Sequence, residues 1–269
     1  MLFLSQRHFH HRLVLFKLTS AAIAFGIFMA LFSSPASSAS STSITPQKAN
    51  NKELVDENHR QCVVLLHGLI RSSDSMSKMA AHLTTLGYRV VNQDYPSTDH
   101  PIDTLTEIAI PPAIEACGDA AQIHFVTHSL GGILLRYYIS QHSMPKLGRA
   151  VMLGPPNRGS EIVDAMGDWA LFGWINGPAG IALGTQADSI PNQLGPVHFE
   201  LGVIAGSRTF NPMLSLLLPS PDDGKVSVEN TKVTGMKAHI VMPVTHTFMM
   251  QNQGVIEQVS HFLAHGEFQ

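Results

Sequence analysis

The chain has 269 residues, of which 44% are hydrophobic and only 14% are charged, and its formal net charge is -3 at pH 7. This length and apolar content suffice for one large α/β domain with a substantial core, without a second domain. No cluster of basic residues interleaved with aromatic residues occurs, which excludes the usual basis of nucleic-acid binding. Phosphate-binding glycine loops and metal-ligand motifs are also absent from the sequence, so we expect neither a cofactor nor a metal site.

The first 39 residues have the organisation of a secretory signal peptide. A basic, histidine-rich start precedes an apolar run from Leu18 to Phe32, and small residues follow. We therefore expect cleavage near Ala39 and export to the periplasm or the medium. An uncleaved membrane anchor is the alternative, although the apolar run is shorter than the roughly 20 residues that span a bilayer comfortably. Residues 40–59 are polar and aperiodic, which predicts a linker.

From residue 60 onward, short apolar strands alternate with helical patterns, which predicts a parallel sheet with right-handed crossovers. The predicted strands cover residues 62–66, 89–93, 123–128, 150–153, 201–206 and 238–243. The helix over residues 104–117 contains Pro111 and Pro112, which predict a break there. An amphipathic helix that includes Val255 and Leu263 closes the chain.

The two cysteines, Cys62 and Cys117, each lie shortly before a predicted strand. If these two strands are neighbours, both thiols lie at the same edge of the sheet. In an exported protein this favours a disulfide, with two buried free thiols as the alternative. Such a bond would be structural, because that edge is opposite the carboxyl ends of the strands.

The stretch Thr127-His128-Ser129-Leu130-Gly131 joins an apolar strand to a helix, as in a nucleophile elbow. A serine hydroxyl becomes an effective nucleophile when it is held away from its own backbone, near a base and near N–H groups. Gly131 permits the tight turn and the close approach of the helix to the strand. Thr127 replaces the first glycine of the usual G-x-S-x-G pattern. The alternative is that Ser129 only caps the helix.

An acidic residue and a histidine follow Ser129 in chain order, each beyond a predicted strand. Because the carboxyl ends of parallel strands share one edge of the sheet, we expect Ser129, Asp223 and His246 to meet there. His246 is the candidate general base, and Asp223 is the candidate residue that holds its tautomer. Asp222 is an alternative acid. Gly224 favours Asp223, because a glycine beside it allows a tight turn that aims its carboxylate inward.

Two backbone N–H groups are candidates for an oxyanion hole. Leu69 follows the first predicted strand, which ends at His67-Gly68, and Leu130 directly follows Ser129. If the two strands are neighbours, both N–H groups can point towards the serine.

Residues 168–191 form an apolar insertion that is interrupted by glycines. Between strands that carry candidate catalytic residues, such a segment predicts a lid or an acyl-binding wall over the site. A pair of short core helices is the alternative, since apolar residues at helical spacing usually belong to a core.

Five segments together resemble the lipase branch of the α/β-hydrolase superfamily, over about residues 60–262. They are His67-Gly68-Leu69 and the stretches at 127–132, 154–160, 222–226 and 246–248. The resemblance implies an α/β-hydrolase fold over residues 60–269, with a mostly parallel, doubly wound sheet of about six strands flanked by helices. It also implies a catalytic triad of Ser129, Asp223 and His246, with oxyanion donors at Leu69 and Leu130.

The function that follows from this pattern is hydrolysis of carboxylic esters, as in a lipase or esterase, through an acyl-enzyme on Ser129. An acyltransferase with the same triad and a non-catalytic lipid-binding envelope protein are the alternatives. The expected partners are a small-molecule or lipid ester and, by peripheral contact, a membrane. We expect a monomer.

Overall fold

The computed structural model describes residue 58 and residues 60–166, 170–210 and 212–269. Six strands of this part of the chain form one sheet: β1 (Gln61–Leu66), β2 (Arg89–Gln93), β3 (Gln122–His128), β4 (Leu147–Leu153), β5 (Leu201–Gly206) and β6 (Ala238–Met242). Neighbouring strands are parallel throughout, in the order β2-β1-β3-β4-β5-β6. The predicted sheet of about six mostly parallel strands is confirmed. The predicted signal peptide, and nearly all of the predicted linker, lie outside the described residues.

Helices connect the strands and cover the sheet. They are α1 (Ser77–Thr85), α2 (Ile102–Ala116), α3 (Leu130–Gln141), α4 (Glu161–Met166), α5 (Ala170–Ile181), α6 (Ile190–Gln193), α7 (Pro212–Ser215) and α8 (Gln253–His265). In the described ranges, every helix is too short or too polar to cross a lipid bilayer.

The sheet separates two apolar cores. On β1, Val64 and Leu66 pack in the core that includes residues of α2 and α3, while Val63 and Leu65 pack in the core that includes residues of α1 and α8. A parallel sheet covered on both faces buries successive side chains of its central strands. This burial explains why β1 is an almost unbroken apolar run in the sequence.

The predicted break at Pro111 and Pro112 is wrong, because α2 continues through both prolines. An interior proline costs a helix about 3 kcal/mol. Ile110, Ala109 and Ala113 are fully buried in the core around these prolines. Since burial of one large apolar side chain contributes about 1.5–3 kcal/mol, packing against the sheet offsets much of the cost.

A disulfide joins Cys62 in β1 to Cys117, the residue that follows α2. Both residues are fully buried, and their Cα atoms are 5.7 Å apart. Cys62 is the second residue of β1, so the bond lies at the amino ends of the strands. The predicted pairing is confirmed, at the edge of the sheet opposite to Ser129.

Candidate active site

Ser129 occupies a strained turn between β3 and α3, with φ 51° and ψ -118°. Residues other than glycine rarely adopt positive φ, and such strain is concentrated at functional positions. The N–H of Ser129 donates to Leu153 O at 2.9 Å, and its carbonyl accepts from the N–H of Gly132 at 3.0 Å. The serine hydroxyl makes no capping hydrogen bond to α3, so the helix-cap alternative is not supported.

Two consecutive glycines allow α3 to begin directly behind the serine. A Cβ atom on Gly131 would lie 2.8 Å from Leu66 O and 2.9 Å from His67 O, which is closer than real Cβ contacts. A Cβ atom on Gly132 would lie 3.2 Å from Oγ1 of Thr127. Gly132 therefore provides the space for the threonine that replaces the first glycine of the elbow pattern.

The structure brings together the three side chains that the sequence predicted to meet. Oγ of Ser129 lies 3.0 Å from Nε2 of His246, and Nδ1 of His246 lies 2.7 Å from Oδ2 of Asp223. Asp223 and His246 are buried. With the carboxylate accepting from Nδ1–H, Nε2 is left without a proton and can accept one from the serine hydroxyl.

The neighbouring acid, Asp222, makes different contacts. Its carboxylate accepts hydrogen bonds from the hydroxyl of Ser215 and, at 2.8 Å, from the N–H of Gly224. In contrast, Oδ1 of Asp223 accepts the N–H groups of Lys225 at 3.0 Å and Val226 at 2.9 Å, which leaves Oδ2 for the histidine. The structure therefore places the carboxylate of Asp223, and not that of Asp222, against His246.

His128 is a residue of the site whose role the sequence did not reveal. Its Nε2 donates to the backbone carbonyl of His246 at 3.0 Å, and the two ring centroids are 4.8 Å apart. Burial, followed by the charge of His246, lowers the pKa of His128 well below its usual value, so the ring is neutral. His128 thus holds the backbone that carries His246. The motif contained this histidine, but its partner is distant in the sequence.

The loop after β1 is fixed by His67 and Tyr95, whose rings stack with centroids 4.1 Å apart. The hydroxyl of Tyr95 donates to the carbonyl of His67 at 2.5 Å, and the Tyr95 N–H donates to Nε2 of His67 at 3.3 Å. Desolvation lowers the pKa of His67, which keeps the ring neutral and able to accept this bond. No sequence motif pointed to Tyr95.

The two predicted oxyanion donors lie beside the serine. β1 and β3 are adjacent, with Leu66 paired to Thr127, so Leu69 follows one strand end and Leu130 follows the other. Neither the N–H of Leu69 nor that of Leu130 donates to a described residue. Both amides are therefore available for a ligand oxygen, and their role in an oxyanion hole stays a prediction.

A cavity of about 270 Å³ opens over Ser129 and His246. Much of its lining is apolar and comes from Ile162, Val163, Met166, Leu183 and Val226. Within the described ranges, no three His, Cys, Asp or Glu side chains cluster closely enough to hold a metal ion. The cavity thus places the hydroxyl of Ser129 and the imidazole of His246 beside a largely apolar wall.

The predicted insertion supplies part of this cavity wall. Ile175, Asn176 and Gly180 of α5 line the cavity, and α5 is kinked at Gly177. Ala179 is fully buried and belongs to the core, so α5 serves both as a wall and as a core element. Movement of this segment as a lid stays a prediction, and residues 168 and 169 lie outside the described residues.

Comparison with known proteins places these features in one family. The family model described as the alpha/beta hydrolase family matches residues 63–235, which is more than half of the chain. No protein with a curated description matches the sequence significantly.

Solved structures with the same fold include lipases and esterases. The mature lipase BlEst2 of Bacillus licheniformis superposes with a TM-score of 0.56 at 18% identity, over 77% of this chain and 91% of the lipase. Phospholipase PlaB from Legionella pneumophila gives a TM-score of 0.61 at 15% identity, over 76% of this chain and 57% of the phospholipase. A thermophilic esterase from Thermogutta terrifontis gives a TM-score of 0.54 at 12% identity, over 77% of this chain and 90% of the esterase. The family match and the parallel six-stranded sheet establish that this chain belongs to the alpha/beta hydrolase family.

Proposed function

We propose that the protein hydrolyses carboxylic esters with apolar acyl groups, using Ser129 as nucleophile, His246 as general base and Asp223 as the acid that orients the histidine. The observation that carries the proposal is the continuous set of hydrogen bonds from Oγ of Ser129 through His246 to Asp223. It lies under a largely apolar cavity. The lipase and esterase neighbours are consistent with this chemistry and share only the fold at their level of identity.

The reaction would proceed in two steps. Oγ of Ser129 attacks the ester carbonyl carbon while its proton moves to Nε2 of His246, and the N–H groups of Leu69 and Leu130 stabilise the oxyanion. The tetrahedral intermediate then expels the alcohol, which takes the proton from His246. Water enters, gives a proton to His246 and attacks the acyl-enzyme, and the carboxylic acid leaves with Oγ reprotonated. Asp223 stabilises the imidazolium in both steps.

Substitution of the serine tests the proposal. Ser129→Ala should abolish turnover of p-nitrophenyl butyrate, because loss of a triad serine lowers kcat by about a millionfold in a serine protease with the same triad. Ser140→Ala, an exposed serine on α3, is the matched control and should retain wild-type activity. A fluorophosphonate probe should label the wild type and Ser140→Ala but not Ser129→Ala. Unchanged ester turnover in Ser129→Ala would exclude this mechanism.

Two further measurements separate the alternatives. An alcohol or lysolipid added to the assay would collect the acyl group if the protein is an acyltransferase, so the products distinguish transfer from hydrolysis. A non-catalytic lipid-binding protein would neither turn over esters nor react with the fluorophosphonate at Ser129.

We also propose peripheral contact with a lipid surface beside the cavity. The loop that contains α7 exposes large apolar side chains, with Phe210 73%, Met213 79% and Leu216 85% accessible. Phe210 packs edge to face against Phe248, at a centroid distance of 5.7 Å, and Phe248 lies two residues after His246. Exposed apolar patches of this kind are typical of surfaces that contact lipid or another protein. The location near the nucleophile favours lipid.

A further inference from the structure

Two cationic side chains, Arg71 and Lys225, line the cavity that contains Ser129 and His246. Among the described residues that line it, none carries a carboxylate. Neither cation forms an ion pair with a described residue. Positive charge is therefore concentrated beside the nucleophile, although the whole chain has a formal net charge of -3.

Elsewhere in the part of the chain that the structure describes, five Lys and Arg side chains have a carboxylate partner. Examples are Arg149 and Lys237, which both pair with Glu200, and Arg158, which pairs with Glu229. Such pairs neutralise the positive charge locally. Arg71 and Lys225 have no such partner among the described residues, and they differ from the other unpaired cations in that they line the same cavity.

The two cations are close enough to affect each other. Desolvation and, next, the charge of Arg71 lower the pKa of Lys225, while Asp223 raises it. The carboxylate of Asp223 is already bonded to His246 and to two backbone amides, so it is not free to pair with the ammonium. Two like charges that line one cavity, with no carboxylate among its described lining residues, repel each other, and a bound anion would relieve this repulsion.

Both cations extend from backbone that is held in place. The N–H of Lys225 donates to Asp223 at 3.0 Å, and its carbonyl accepts from the hydroxyl of Ser160 at 2.7 Å. Arg71 follows Ile70, which has φ 56° and donates its N–H to Oγ of Ser97 at 3.1 Å. Positive φ is unusual for a β-branched residue and strains the backbone. The strained turn directs the chain so that Arg71 lines the cavity.

We propose that Arg71 and Lys225 form a subsite for an anionic group of the substrate, next to the ester that Ser129 attacks. The inference rests on the proposed ester hydrolysis and names its substrate class: esters whose alcohol part carries a phosphate. A guanidinium binds phosphate oxygens through two parallel N–H donors, and an ammonium adds a point charge. The apolar wall formed by Ile162, Val163 and Leu183 then receives the acyl chain.

A matched pair of soluble substrates tests the subsite without a lipid surface. 1-Butyryl-glycerol and 1-butyryl-glycerol 3-phosphate contain the same ester and differ in the phosphate. We expect the wild-type kcat/KM to be at least about tenfold higher for the phosphorylated ester, since a hydrogen bond to a charged group contributes roughly 1.5–3 kcal/mol. The preference is the kcat/KM for the phosphorylated ester divided by the kcat/KM for 1-butyryl-glycerol. Arg71→Gln and Lys225→Gln should each lower this ratio by about tenfold, and Lys225→Glu should lower it further. Lys146→Gln, an exposed cation before β4, is the control and should keep the wild-type ratio.

Inhibition separates a substrate subsite from a site for free anions. Glycerol 3-phosphate should inhibit cleavage of 1-butyryl-glycerol competitively, and more strongly than inorganic phosphate does. If inorganic phosphate inhibits equally well and the phosphorylated ester is not preferred, the cations bind free phosphate and the substrate assignment is wrong.

The possible failures are distinguishable. If Ser129-dependent cleavage of both esters proceeds at equal kcat/KM, and Arg71→Gln and Lys225→Gln leave the ratio unchanged, the anionic subsite is overturned and ester hydrolysis stands. If the folded wild-type protein cleaves neither ester nor p-nitrophenyl butyrate, ester hydrolysis fails and the subsite fails with it. Thermal unfolding of each variant identifies any loss of activity that is due to misfolding.

Discussion

Asp222 and Asp223 are adjacent buried carboxylates with different partners, and they provide a matched test at the scale of single residues. In Asp223→Asn, an amide NH₂ can replace the oxygen that accepts the hydrogen bond from Nδ1–H of His246, so the opposite tautomer is stabilised. We expect kcat for p-nitrophenyl butyrate to fall about 10⁴-fold, as for the equivalent change in a serine protease triad.

Asp222→Asn is the control for that substitution. Its carboxylate accepts hydrogen bonds from Ser215 and from the N–H of Gly224, whereas Nδ1 of His246 bonds to Asp223. We expect kcat to stay within about tenfold of the wild-type value, because the lost bonds affect loop stability and not the histidine tautomer. A large loss in Asp222→Asn with little loss in Asp223→Asn would reverse the assignment.

The three proposed catalytic side chains could be predicted from the sequence, whereas the residues that hold them in position could not. Ser129, Asp223 and His246 lie near motifs with a known order, so their types and positions could be predicted. His128 and Tyr95 act through backbone groups of residues distant along the chain or through ring stacking, for which no local pattern exists. Three-dimensional contacts of this kind become visible only in the structure.

At the scale of elements, the bounds of five of the six strands were predicted to within one residue, and the start of β4 was not. β2 and β5 have the predicted bounds, whereas β4 begins at Leu147, three residues before the predicted start at 150. Gly148 is a weak strand former, but pairing with β3 extends the strand through an irregular register near Ile123. The start of β4 is therefore determined by its pairing with β3 and could not be predicted from local strand propensity.

The exposed apolar loop around α7 has a testable consequence for lipid binding. The triple substitution Phe210→Ser, Met213→Ser and Leu216→Ser should weaken binding to vesicles of phosphatidylglycerol and phosphatidylcholine. The expected loss is about tenfold or more in the partition coefficient, because each buried apolar side chain contributes roughly 1.5–3 kcal/mol when fully removed from water. Sedimentation with vesicles measures this partition.

Val241→Ser provides the control for the loop variant. Val241 is a partly exposed apolar residue on β6, outside the loop, and its substitution should leave vesicle binding unchanged. Equal binding by the wild type and the triple variant would assign the apolar loop to a different partner, such as a protein.

At the scale of the whole molecule, the two edges of the sheet have different roles. The carboxyl ends of the strands carry Ser129 and the loops that hold Asp223 and His246, with two strained residues at positive φ. The amino ends carry the Cys62–Cys117 disulfide and the buried His124. The strained backbone near Ser129 is thus spatially separated from a covalently linked edge that stabilises the fold.

His124 makes the stability of this second edge dependent on pH. Its Nδ1 accepts the N–H of Arg149 at 2.8 Å, and its Nε2 donates to Gln61 at 2.7 Å, so the folded protein uses the neutral ring. Burial and, next, the charge of Arg149 lower the pKa of His124 to about 4. In the unfolded chain a histidine titrates near its usual value of about 6.5.

The sign of the effect follows from these two values. As the pH falls from about 6.5 to about 4, the unfolded chain binds a proton that folded His124 does not, so the free energy of unfolding decreases. The full decrease from this one residue is about 3 kcal/mol, and most of it is reached by about pH 4.5. His124→Gln keeps a donor and an acceptor and removes the titration. The free energy of unfolding of both proteins can be measured with urea at about pH 7 and pH 4.5. Its decrease between these two pH values should be smaller in His124→Gln than in the wild type, by about 2–3 kcal/mol. Because other buried histidines titrate equally in both proteins, the same loss in both would show that His124 does not couple folding to pH.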